Sequence, residues 1–482
     1  MRSRGFRYAP LAVFGLVYLL SCLVGAVLLI VDYASFVALF EYFSGTEAPE
    51  LSSAETRTNV LLLVVAPLAL TAGYILGSRL PSRVLDAEPR QERREPAWWL
   101  PPLTFSVLAT VALVSLIRAG AFGRTASWLD FGTWVQARSA NFERISFFEF
   151  VNLYLLVPLS AAWVLVSGHV GTRRQVLLRA VPVPITVALS LFLFSRKAVV
   201  TALLIVLFAW AIDAAGAQFR HLRVLILSAT LLLAASYTAL VVVPVYAEAS
   251  KTAKQATSQA DTAADPVRAA RLDRISDTFG LHNRRRALVL YAALSPLTRS
   301  SAPALSYPIV FPRRHDYFHL DLGQDILGIG AMPNDNIVVW NYLNPTTPGG
   351  TTAVPYQFVL YSQIRTLGAI GASLIVGFLL ALAWRLSQLP ARPTSSLLGS
   401  MVLLLATYLA IDSLRNSVVV SYGVVWGLLF VAATVLLTRI VASDRVGRHR
   451  LAVIPTNQPN RDGSRAASGP PTRRSYGVTK RS

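Results

Sequence analysis

Long apolar runs alternate with short charged links along this chain, with one long exception. The runs are roughly 17–25 residues each, the length a helix needs to cross a hydrocarbon core. No solvent-facing stripe interrupts them, so they do not read as amphipathic surface helices. They predict about ten transmembrane helices, at 9–31, 58–78, 98–118, 147–167, 178–195, 198–216, 222–246, 362–385, 396–412 and 418–440. The exception is 247–361, a segment of domain size between the seventh and eighth runs. Its first part reads as helix, with Asp265-Pro266 as a start signal. Next comes "LHNRRRALVLYAALSPL", a helix with a basic head and an apolar body that suits a membrane surface or a re-entrant position. From Ser300 to Tyr361 the pattern is irregular and rich in Pro, Gly, Asn and aromatic residues. A long irregular stretch in a compact protein is usually functional or disordered, and its aromatic residues argue against disorder.

Composition and charge add a side to this picture. Hydrophobic residues make up 54% of the 482 residues, too many for an ordinary soluble chain. An all-α integral membrane protein is expected, divided into 1–246 (seven spans), 247–361 (the large loop, partly helical), 362–440 (three spans) and 441–482 (a tail). The formal net charge of +20 would suggest nucleic acid in a soluble protein. Here the basic residues fall in links on one side: Arg2, Arg4 and Arg7, then Arg79, Arg83, Arg90, Arg93 and Arg94, then Arg173 and Arg174, Arg220, Arg392 and the tail. That side is expected to be cytoplasmic, both termini with it, and no nucleic-acid partner is assigned. The first opposite link carries Asp32, Glu41, Glu47, Glu50 and Glu55. The first run is longer than the apolar region of a signal peptide and is read as a retained span. The tail, polar and rich in Pro, Gly and Ser, is expected to be disordered, its arginines against anionic headgroups. Cys22 is the single cysteine, so no intramolecular disulfide or cysteine metal site is possible.

Candidate chemistry lies on the side opposite the termini. Arg196 and Lys197 interrupt "LFLFSRKAVVTALL" at the tip of a tight helical hairpin, against the inside preference for cations and with no acid nearby in sequence. Snorkelling to headgroups is one explanation; an anion site facing a cavity is the other. Arg124, Arg138 and Arg144 lie in the loop 119–146, Arg284, Arg285, Arg286, Arg299, Arg313 and Arg314 in the large loop, with Arg365 and Arg415 beyond it. Arginine captures phosphate oxygens bidentately, so arginines gathered from several loops suggest a diphosphate ligand at membrane level, although pairing with loop aspartates explains any single one equally well. His315, Asp316 and His319 in "FPRRHDYFHLDLGQD" are candidate general bases. The i, i+4 spacing of His315 and His319 is a weak metal signal, and no metal is assigned. In "AMPNDNIVVWNYLNPTTPGGTTAVPYQF", Asn334, Asp335, Asn336, Trp340, Tyr342 and Tyr356 combine polar groups for sugar hydroxyls with flat faces for sugar C–H surfaces, or else shape a turn-rich loop.

Two stretches carry a family resemblance. "FLFSRKAVV" resembles the hairpin tip of Wzy-type O-antigen polymerases, and "PTTPGGTTAVPYQFVLYSQIRTLGAIGASLIVGF" is similar to the segment that closes that family's large periplasmic loop, with Gly368 and Gly371 as its "G-x-x-G". The resemblance implies a GT-C-like membrane glycosyltransferase of the bacterial inner membrane. Such an enzyme joins polyprenyl-diphosphate-linked oligosaccharide repeat units on the outer leaflet, without cofactor or metal. A chain-length regulator protein is an implied further partner. By position, Arg196 would match the family's hairpin-tip arginine, Arg138 or Arg144 its earlier-loop arginine, and Arg284 to Arg286 its large-loop cluster. Lys197 departs from the pattern, where a small residue is commoner. Two rivals remain: a glycosyltransferase using polyprenyl-monophosphate sugars, with Asp32 as its acid, and a lipid-linked glycan transporter. The absence of an internal repeat or paired broken helices speaks against the second.

Overall fold

In hydrocarbon, backbone polar groups must find partners within the chain, and a helix supplies them all locally. The computed structural model describes residues 7–44, 51–80, 99–123, 137, 140–141, 143–167, 178–215, 266–281, 286–287, 289–291, 294, 301–318, 335–343, 354–389, 394–412 and 424–452. Among these there are helices and turns and no strand. In chain order the helices are α1 (Ala9–Leu28), α2 (Tyr33–Ser44), α3 (Ser53–Arg79), α4 (Leu100–Arg118), α5 (Phe147–Val166), α6 (Pro182–Leu191), α7 (Arg196–Ala215), α8 (Pro266–Thr278), α9 (Ser301–Val310), α10 (Asp335–Leu343), α11 (Tyr356–Ser387), α12 (Thr394–Leu409) and α13 (Val424–Ala452). Among the described residues, five helices are long and apolar enough to cross a membrane: α1, α3, α4, α5 and α11. The expected span at 222–246 lies outside the described residues.

Two hydrophobic cores organise the bundle. The first joins α1, α3, α9, α10 and α11 through Phe14, Tyr18, Leu62, Leu70, Tyr307, Phe311 and Phe358. The second joins α4, α5, α6 and α7 through Leu116, Tyr154, Trp163, Phe194 and Ile205. α12 contributes to both, with Leu403 and Leu409 in one and Met401 and Tyr408 in the other. A small third cluster joins α2 and α8 through Ala38 and Ile275, with Ala287 and Tyr291.

The tightest contact is between α3 and α11. A side chain at Gly73 would overlap the carbonyl of Leu374, and one at Gly377 would overlap that of Leu70. Small residues let helix backbones approach this closely in a membrane, where no hydrophobic force drives association. The pairs 70 with 377 and 77 with 381 show the two helices running parallel. At their C-terminal ends Arg385 donates to the carbonyls of Gly77 (3.3 Å) and Leu80 (2.7 Å). The opposite end of the bundle, where α3 begins, also receives α9 and α10 and is called here the loop end.

The structure revises four local expectations. The hairpin turn is Phe192–Ser195, and Arg196 and Lys197 form the first turn of α7 rather than the tip. The stretch from Ser300, expected to be irregular because it is rich in Pro, Gly, Asn and aromatic residues, forms α9 with Pro308 inside it, and α10 follows at Asp335–Leu343. His315 lies at a bend followed by non-helical chain, so the helical setting of an i, i+4 histidine pair is not formed there; His319 is outside the described residues. The eighth span, expected at 362–385, lies within a helix that is broken near its start. α11 breaks at Ile364 (φ −131°, ψ 17°) and Arg365 (φ 62°, ψ −177°). Its short first leg folds back on the second, bringing Tyr356 beside Ser373.

Candidate functional site

Two groups of polar side chains occupy the loop end, one on each core. The first begins with the break in α11. The leg Tyr356–Gln363 is wholly buried. Tyr356 packs its ring on Phe14 (6.2 Å between centroids), and Gln357 donates to the Tyr18 hydroxyl at 3.1 Å, which itself donates to the carbonyl of Leu63 at 2.8 Å. These bonds hold the start of the leg in the middle of α1 and α3. Its other end returns to the loop end, where Ser362 donates to Oδ2 of Asp335 (3.2 Å). The Tyr307 hydroxyl lies 2.8 Å from both Oδ2 of Asp335 and Oδ1 of Asn336. Oδ1 of Asp335 is buried with no hydrogen-bond partner among the described residues. Burial pushes the Asp335 carboxyl up to about 6, against the opposing pull of the Tyr307 hydroxyl.

Above this network lies the segment after α9. Phe318 N–H donates to the carbonyl of Ser362 at 3.0 Å, fixing the segment to the break in α11. The Tyr317 hydroxyl donates to that of Tyr361 (3.1 Å), which donates to the carbonyl of Phe311 (2.8 Å). Tyr317 so held carries the Arg365 guanidinium over its ring, 5.2 Å from the centroid. His315 stacks near Phe318 (4.8 Å) and its Nδ1 is 2.7 Å from the carbonyl of its neighbour, the exposed Asp316. Arg314 lies over the Tyr342 ring (4.5 Å), and Arg313 pairs with Glu55 at the start of α3 (2.6 Å). Arg365 adopts a backbone conformation that essentially only glycine takes without cost; for another residue the cost is about 1–3 kcal/mol.

The second group lies on the other core. Lys197 Nζ meets Oδ2 of Asp412, just past α12, at 3.1 Å. One turn further on, Thr201 and Tyr408 hydroxyls are 2.5 Å apart. Cations in the first turn of a helix oppose its dipole, so an anion at this place is electrostatically favoured, and Asp412 supplies one. Three loop-end segments meet here. Asn141 donates to the carbonyl of Phe192 (3.1 Å), Phe122 packs on Phe192 (4.2 Å), and Arg144 reaches the carbonyl of Ala119 (3.5 Å). Nearby, Ser146 and Glu149 form a reciprocal cap on α5, and Glu149 also binds Ser115 (2.9 Å) and Arg118.

Of the residues singled out in the sequence, the first group therefore brings together His315, Asp316, Asp335, Asn336, Tyr342 and Arg365. The second brings together Arg144, Lys197 and the backbone position of Arg196. Arg286 is exposed beside the third cluster. Trp340 is half-buried on α10. Tyr356, expected to offer a face to a sugar, is wholly buried and offers none. Arg138, Arg284, Arg285, His319 and Asn334 lie outside the described residues. Among the described residues no three His, Cys, Asp or Glu side chains gather as a metal site would require. Sequence reasoning missed Tyr307, Ser362, Tyr317 and Tyr361, which read as ordinary residues of apolar or aromatic stretches. Asp32, the acid of one rival reading, caps α2: its carboxylate accepts from the backbone N–H (3.2 Å) and hydroxyl (2.5 Å) of Ser35, which hold it below its ordinary range. The chain matches no protein-family model, no curated protein and no solved structure.

Proposed function

We propose that this chain is a ten-span glycosyltransferase of the bacterial cytoplasmic membrane. In this reading it joins polyprenyl-diphosphate-linked oligosaccharide repeat units on the outer face, as Wzy-type O-antigen polymerases do. One observation carries the reading: the cations and hydroxyl-binding groups drawn from distant parts of the sequence share the loop end. Arg196 and Lys197 stand in the first turn of α7, whose positive end favours phosphate oxyanions, and Arg144 lies in the loop segment that bonds the preceding turn through Asn141. Arg365 adds a cation above the first group. In the reaction the acceptor hydroxyl attacks the anomeric carbon, the bond from that carbon to the diphosphate breaks, and the leaving oxygen takes the electron pair. Arginine side chains stabilise the developing negative charge. The acceptor proton passes to an acidic or imidazole side chain of the large loop, for which His315 and Asp316 are the described candidates.

The test is the set of lipid-linked glycans in cells that lack the protein. Accumulation of single complete repeat units supports polymerisation. Accumulation of incomplete units supports transfer from a monophosphate sugar instead, and transport of intact units without a new glycosidic bond supports a transporter. Arg196→Ala is expected to abolish chain lengthening while the protein still accumulates in the membrane, measured by the length distribution of the product. Normal lengths in that variant would remove the anion site from the second group.

A further inference from the structure

The cations at the loop end are not equivalent. Lys197 is met by Asp412 and Arg313 by Glu55, and Arg118 is held by Glu149. Arg314 is spread over Tyr342. Arg365 is exposed; among the described residues its guanidinium lies over the face of Tyr317 and pairs with no carboxylate. It also occupies the one position of the α11 turn whose backbone, at φ 62° and ψ −177°, suits glycine. Glycine there would make the turn more cheaply. An arginine held in that conformation is explained by what its side chain does, since strain of this kind persists only where the surroundings determine it and gathers at ligand clamps.

The surroundings are rigid on both sides. The buried leg Tyr356–Gln363 is pinned at its start by Gln357 on Tyr18 and at its end by Ser362 on Asp335. The ring beneath the guanidinium is fixed through Tyr361 to the carbonyl of Phe311. A guanidinium lying on a ring keeps its N–H edge free for a planar, two-point contact with an oxyanion. Rotamer freedom, the usual cost of recruiting an arginine, is already restricted by the stack.

We propose that Arg365 contacts ligand directly, its N–H edge aimed by the strained turn at the phosphate oxyanions of a phosphate ester or diphosphate. This rests on reading the loop end as a phosphate-ester site and names the residue that the fold commits to it. It places the contact on α11, apart from the first turn of α7, so the ligand is gripped from the first core as well as the second.

The full chain, purified in detergent, provides the test in wild-type form and as Arg365→Gly, Arg365→Gln and Arg365→Lys. Two probes are used, inorganic pyrophosphate and farnesyl diphosphate. Without probe, Arg365→Gly is expected to melt a few degrees above the wild type because the turn is relieved, while Arg365→Gln, which keeps the strained backbone, does not gain. With probe, both neutral variants are expected to lose affinity by about tenfold or more, and Arg365→Lys to lose less. Equal affinity for the two probes supports a contact to phosphate alone, and tighter binding of farnesyl diphosphate assigns it to a lipid-linked diphosphate. Wild-type affinity in Arg365→Gly and Arg365→Gln, or a melting midpoint of Arg365→Gly below that of wild type, overturns the proposal. Wild-type cells whose product and lipid-linked glycans match those of cells without the protein would sink the polymerase reading and leave the Arg365 contact standing, so the two failures are separable.

Discussion

Asp412 and Asp335 are both aspartates at the loop end, each about 2% exposed, and the chain treats them oppositely. Asp412 faces a lysine from the first turn of α7. Asp335 faces hydroxyls from Tyr307 and Ser362, and one of its oxygens has no hydrogen-bond partner among the described residues. Burial alone therefore does not say what an acid is for. A charge pair fastens α7 to the chain after α12 and answers cations that would otherwise oppose the helix dipole. A carboxyl held by neutral donors stores the cost of desolvation instead, and that cost appears as a raised affinity for a proton.

The largest expected effect breaks the first of these. Lys197→Ala removes the cation that meets the buried Oδ2 of Asp412 and should cost about 3 kcal/mol of stability. Asp412→Asn leaves a lysine whose side chain is 51% exposed and can be rehydrated, so it should cost only about 1 kcal/mol. Denaturation of the two purified variants measures the asymmetry; equal losses would mean that the pair is not the lock described.

The next effect concerns pH. Folding raises the Asp335 carboxyl to about 6 from its ordinary value near 4, so between those values the folded chain binds the extra proton. Its contribution is most favourable below about pH 4 and is lost as pH rises to about 6. Asp335→Asn removes that dependence. The wild type should therefore gain about 2 kcal/mol relative to the variant on going from pH 7 to pH 4, seen as a change in the difference between their melting midpoints. A difference that stays constant with pH would mean that the carboxyl is already solvated.

The smallest effect sharpens the same point. Ser362→Ala deletes the weaker of the two hydroxyl donors to Asp335 and should cost about 1 kcal/mol. It should also move the pH-dependent step upward, because a donor that favours the charged form is gone. Titration of the same melting difference in this variant reads the shift.

The sequence made the membrane character legible because an apolar run is a local property, and it drew attention to Asp335 and Asn336 because amides and acids stand out in a loop. It did not reveal the partners. Tyr307 and Ser362 acquire their roles only from a carboxylate 28 and 27 residues away in sequence, and Lys197 finds Asp412 across 215 residues. Nothing in "SQIRTLGA" announces a chain reversal, since no glycine or proline stands at the break and the apolar pattern continues through it. The turn is imposed by the packing of both legs. The glycines that seat α3 on α11 were similarly silent, because small residues in an apolar run mark no partner by themselves.

The reversal in α11 also settles a matter of length. Taken as one rod, its 32 residues would measure about 48 Å at 1.5 Å per residue, against a hydrocarbon thickness of about 30 Å. A rod so long would have to tilt steeply or thicken the surrounding lipid. Doubling the first leg back leaves about 33 Å from Thr366 to Ser387, close to one bilayer, so this helix can stand nearly upright. The excess becomes an inward-dipping strut rather than an overhang, and the arginine at its crest is carried at a height fixed by protein rather than by the thickness of whichever membrane surrounds it.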